Sequence, residues 1–128
     1  MKNSSLILAS VLLAGLAAPA RAQATRIDGQ VPFEFTVGSS QLPVGHYEIT
    51  PASPDEGVLT VRNLDTGKAT AVEYITRIAS REDGKSFFVF DVVGSQHILS
   101  EIHVAGSDGY LLQGAAKKPH THKQVKAS

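Results

Sequence analysis

The chain is predicted to be all-β: an antiparallel meander of about seven strands, curled or closed into a small barrel, with a two-sheet sandwich as the alternative. Three observations predict this. Apolar residues recur with a period of two through nearly the whole body. The runs are short and broken at close intervals by Gly, Pro, Asn or Asp. No segment between them reads as a helical crossover, so neighbouring strands should pair antiparallel.

Val31-Pro32-Phe33-Glu34-Phe35-Thr36-Val37 alternates with the odd positions apolar, and Pro32, lacking an amide donor, implies that the strand lies at an edge or starts late. Leu42-Pro43-Val44-Gly45 turns the chain, and His46-Tyr47-Glu48-Ile49-Thr50 alternates again. Pro51 to Gly57 is a loop, Val58 to Asn63 a strand, and Asp65-Thr66-Gly67-Lys68 a hairpin turn. Ala69 to Ala79 reads as one long returning strand, followed by a turn at Arg81–Lys85. Ser86 to Val93 is apolar on both faces, interrupted only by Asp91. Such a strand is covered on both sides, by a curled sheet, the tail or another subunit. His97 to Ala105 fits helical spacing in part, but its Ile, His and Val favour a strand. Gly106–Gly109 turns into a short strand at Tyr110-Leu111-Leu112. From Gly114 apolar residues are sparse, so 114–128 reads as a flexible basic tail behind a domain spanning 23–113.

Residues 1–22 read as a cleavable secretory signal. Lys2 precedes a 13-residue apolar run from Leu6 to Ala18, and Ala20-Arg21-Ala22 supplies the small residues of a cleavage site. Cleavage is expected between Ala22 and Gln23, with the bond after Ala24 as second choice. The run is shorter than the about 20 residues of a spanning helix, and no later segment spans. Localisation is therefore expected to be periplasmic or extracellular. The chain has no cysteine, so neither a lipid anchor nor disulfides are expected.

Charge is distributed unevenly. Lys2 and Arg21 leave with the signal, and Lys117, Lys118, Lys123 and Lys126 cluster at the end. The remaining six basic residues face twelve acidic ones. An acidic body argues against nucleic acid as a partner, while the four lysines suit an anionic envelope surface.

The words Val31-Pro32-Phe33-Glu34-Phe35-Thr36-Val37-Gly38, Leu42-Pro43-Val44-Gly45-His46-Tyr47, Val61-Arg62-Asn63, Phe88-Val89-Phe90 and Leu99-Ser100-Glu101-Ile102-His103-Val104-Ala105-Gly106 fall in a set order. In this the chain resembles a group of small exported bacterial β-proteins with a "VPFxF-VG…LPxGxY" opening and a late "FLSxIW-AG" strand. The resemblance implies an exported β-fold and carries over no catalytic residue. His103 stands where the group has a bulky aromatic, and the tail differs from theirs.

Histidines are the candidate chemistry. On a regular strand His97, Glu101 and His103 share one side with Leu99. His97 and His103 then stand about 20 Å apart, so at most Glu101 and His103 share an ion with a neighbouring strand. His120-Thr121-His122 is a His-x-His pair suited to zinc, copper or nickel, with Lys118 and Lys123 opposing a cation. No nucleophile elbow or phosphate loop is present. Glu34 and Glu48, or Ser107 with Asp108, are the residues from which a small envelope-polymer hydrolase would have to be built. The expected function is a non-enzymatic exported module with a binding or structural role and no resident cofactor. Metal binding is the first alternative and the hydrolase the second. Phe87 and Val89, if exposed, would mark a homodimer or partner surface.

Overall fold

The structure is a computed structural model that describes residues 26–53, 56–80 and 84–128. The signal read at 1–22, its Ala22–Gln23 junction and most of the turn at 81–85 lie outside the described residues. Within them are β1 (Ile27–Val31), β2 (Phe35–Val37), β3 (Ser40–Leu42), β4 (Gly45–Ser53), β5 (Val58–Asn63), β6 (Ala69–Glu73), β7 (Thr76–Ile78), β8 (Ser86–Val93), β9 (Gln96–Val104), β10 (Ser107–Leu111) and β11 (Thr121–Ala127).

The all-β expectation holds, but two sheets form rather than a closed barrel. The first runs β1-β4-β5-β6 and the second β11-β8-β9-β10-β7, with the β2–β3 hairpin attached to β9. Pairing is antiparallel except at Thr36↔Ile98, where β2 meets β9 in parallel. Val31, Tyr47, Ile49, Leu59 and Val61 of the first sheet pack on Phe88, Phe90, Leu99, Ile102 and Tyr110 of the second. Phe35 joins the layers, edge-on to Tyr47 at 5.0 Å and to Phe90 at 5.3 Å. Each such buried side chain contributes about 1.5–3 kcal/mol.

Two segments that read as single strands turn corners between sheets. Residues 31–37 divide at Pro32–Glu34 into β1 and β2, and 69–79 divide at Tyr74–Ile75 into β6 and β7. Alternation persists across each corner because both sheets present their inner faces to the same core. At one seam the sheets are stitched by Asp28 and Ser128, which exchange backbone hydrogen bonds of 3.0 and 2.8 Å.

The two words around Tyr47 and Asn63 become one structural unit. The Tyr47 hydroxyl donates to the Pro43 carbonyl at 2.6 Å, and Asn63 Nδ2 donates to that hydroxyl at 3.1 Å. Asn63 Oδ1 accepts the amides of Asp65 and Thr66, shaping the hairpin turn. Gly45 allows the close approach: a Cβ there would sit 3.0 Å from Asn63 Nδ2. Burial raises the Tyr47 pKa; the Asn63 hydrogen bond opposes this and the Asp65 carboxylate adds to it.

His97 to Val104 lies in a strand, β9, as expected. Its pairing with β8 slips between Val89 and Phe90. This bulge reverses the face presented by later residues. His97 stays on the inner face, stacked on Phe33 at 3.9 Å, while Glu101 and His103 turn outward beside Val89 and Phe87. The shared face expected for His97, Glu101 and His103 is thereby corrected.

Phe87 and Val89 are both buried within the single chain, 7% and 5% exposed. On the outer face Phe87 lies between Lys126 of β11 and His103 of β9, and Val89 between Gln124 and Glu101. Stems of long polar residues supply the second cover, and His103 stacks on Phe87 at 4.4 Å.

The expected flexible tail at 114–128 is also corrected. After a crossover through Ala115, which is buried, residues 121–127 form β11 and pair with β8 from Val92 to Ser86. The cause is the free edge of β8, whose backbone groups β11 satisfies. Lys123 and Lys126 lie three apart on this strand and so point to opposite faces. No helix among the described residues is long and apolar enough to cross a membrane.

Candidate metal centre

Asp91 interrupts the apolar face of β8 and points outward, opposite Phe90. Its side chain is only 7% exposed, so the carboxylate needs compensation. Oδ2 accepts the Ala115 amide at 2.9 Å. Gly114 permits this approach: its φ is +57°, and a Cβ there would clash with Oδ2. Oδ1 is buried and accepts no hydrogen bond.

The crossover returns the chain so that His122 stands directly across from Asp91 in the β8–β11 register. His122 Nδ1 lies 3.1 Å from Oδ1 and His120 Nε2 lies 3.6 Å from it. The Lys118 carbonyl is 2.6 Å from His120 Nδ1. A carbonyl only accepts, so Nδ1 carries the hydrogen and Nε2 of the neutral ring presents a lone pair. The two rings meet edge to face at 5.0 Å.

The three donor atoms, one each from Asp91, His120 and His122, lie within 4.8 Å of one another. Ligands at about 2.0–2.2 Å around a tetrahedral ion stand about 3.4 Å apart, a value between the two distances to Oδ1. The carbonyl behind His120 does for that ring what an outer-shell acceptor does for a ligating histidine: it fixes tautomer and orientation. His122 is 58% exposed, so one side of the set faces solvent.

His120 and His122 are thus brought together as the sequence suggested, and Asp91 is the partner it missed. The available signal was a lone carboxylate inside an apolar strand, which is rare without a compensating group. Lys123 does not oppose the site from its own face; its ammonium lies 5.7 Å from the Phe33 ring on the other side of the sheet. Glu101 and His103 are not part of the set. They bond each other at 2.7 Å, with the His103 ring against Phe87. Glu48, one of the two glutamates considered for hydrolysis, lies 3.4 Å from Arg26.

Comparison with protein-family models, with curated proteins and with solved structures found no match to this chain.

Proposed function

We propose that the chain is an exported, non-enzymatic β-module of the bacterial envelope that binds a divalent transition-metal ion through Asp91, His120 and His122. The convergence of two imidazole nitrogens on a buried carboxylate oxygen that accepts no hydrogen bond carries this reading. Two nitrogens and one oxygen suit Zn²⁺, Cu²⁺ or Ni²⁺; Ca²⁺ and Mg²⁺ prefer all-oxygen shells. Soft sulfur ligands are missing, since the chain has no cysteine and its one methionine is Met1. Cu²⁺ should bind more tightly than Zn²⁺. Export rests on the leader at 1–22 and on the resemblance to small exported β-proteins.

Titration calorimetry of the purified exported form with Zn²⁺ and Cu²⁺ tests the reading. One ion per chain is expected, with Kd below about 10 μM, or roughly −7 kcal/mol. Asp91→Asn should weaken it at least about 100-fold, the upper end for loss of an outer-shell partner. Absence of saturable binding to the wild type ends the proposal.

A further inference from the structure

The proposed metal centre adds a side-chain tie between two parts of the chain that are otherwise joined mainly through the backbone. Asp91 belongs to β8, while His120 and His122 belong to the start of β11. The first four residues of β11 are exposed, and only Val125 and Ala127 are half-buried. Its attachment is therefore mainly a backbone ladder along β8, plus the two bonds between Asp28 and Ser128. Net contributions of about 0.5–1.5 kcal/mol per hydrogen bond stand against about 1–2 kcal/mol per residue for ordering the backbone. With so little apolar burial, these opposing contributions are of similar size, so an added interaction at the start of β11 weighs heavily in its docking.

We infer that the ion held by Asp91, His120 and His122 clamps the C-terminal strand. With the ion, β11 stays on β8 and closes the seam with β1. Without it, β11 opens locally and uncovers the β8 edge. The inference rests on the metal-binding reading. It has a consequence at a distance: Gln124, Lys126, Ala127 and Ser128 form one wall of a cleft of about 910 Å³ whose other wall includes Asp28, Gln30 and His46. The wall residues follow His122 by two to six positions, about 7–20 Å along the strand at its rise per residue. Metal occupancy would thus control whether the cleft exists.

Hydrogen–deuterium exchange read by mass spectrometry tests this, with and without Zn²⁺, on the same purified protein whose Zn²⁺ binding is measured by calorimetry. An ion that binds only the docked strand slows exchange of the 121–127 amides by up to about 100-fold at 100 times its Kd. Exchange in the middle of β9 should not change. Asp91→Asn should remove the protection; its amide oxygen still accepts the Ala115 N–H, so the crossover keeps its anchor. His122→Gln, at an exposed position, is the second variant and should behave alike. Tight binding with unchanged β11 exchange overturns the clamp and leaves the metal site standing. Protection that survives in both variants also overturns it. No Zn²⁺ binding to the wild type removes both readings.

Discussion

The cluster around Tyr47 and Asn63 and the cluster around Asp91 are both polar groups set in an apolar body, but their hydrogen bonds balance differently. In the first, Tyr47 donates to Pro43, Asn63 donates to Tyr47, and the turn amides of Asp65 and Thr66 donate to Asn63. Each group there is satisfied from within the chain, as a structural unit requires. In the second, Oδ2 is satisfied by Ala115, while Oδ1 meets two imidazoles without a hydrogen bond. The carboxylate oxygen and the His120 Nε2 lone pair converge there with the His122 ring, an arrangement into which a cation fits. Buried polarity therefore marks a fastening in one place and the proposed metal site in the other, and the donor balance is what separates the two.

Three changes would break or sharpen that contrast. The largest expected effect is from Asn63→Ala, which leaves two turn amides without their acceptor and Tyr47 without a donor. It should cost about 2–3 kcal/mol in urea unfolding while leaving Zn²⁺ affinity unchanged; a loss of metal binding would mean the two clusters are not independent. His103→Gln comes next. It removes the ring stacked on Phe87 and should cost about 1 kcal/mol, again with Zn²⁺ affinity held within about twofold, a shift of only about 0.4 kcal/mol. A marked loss of affinity would return His103 to the metal set.

The smallest effect concerns acid. His97 has its pKa lowered, first by burial against its neighbours and then by the Lys123 charge. The unfolded chain therefore takes up this proton more readily than the folded one. His97 contributes nothing to the pH dependence well above the ordinary imidazole range, and it costs stability as pH falls through and below that range. Unfolding of His97→Phe measured from pH 7.5 to 5 (a range chosen to span about 6.5) should show a shallower acid decline than the wild type. An identical slope would remove His97 from the account.

Much of the fold was legible in the order of residues. Alternation marked β4 and β5, a two-faced apolar run marked β8, strand-favouring residue types marked β9, and the lone prolines and glycines marked most turns. The corners at Pro32–Glu34 and Tyr74–Ile75 were not legible, because a strand that changes sheets still faces the same core and keeps its period of two. The bulge between Val89 and Phe90 was hidden for a related reason: one extra residue reverses the faces without altering composition. Of the candidate site, the His120–His122 pair could be read from spacing. Asp91 could not be joined to it, since the two are separated by β9, β10 and the crossover.

The sequence by itself determined that this is a cysteine-free β-protein with an acidic body and a histidine pair near its end. Local rules suffice for those statements, because period, turn residues and charge are properties of neighbours along the chain. Only the tertiary structure decided that residues 121–127 are a strand. Thr-His-Lys-Gln-Val-Lys-Ala carries almost no apolar pattern, and its order comes from the unpaired edge of β8. That pairing sets His122 opposite Asp91, and the crossover sets His120 beside them. The candidate metal centre is thus a product of strand register, which no local pattern encodes.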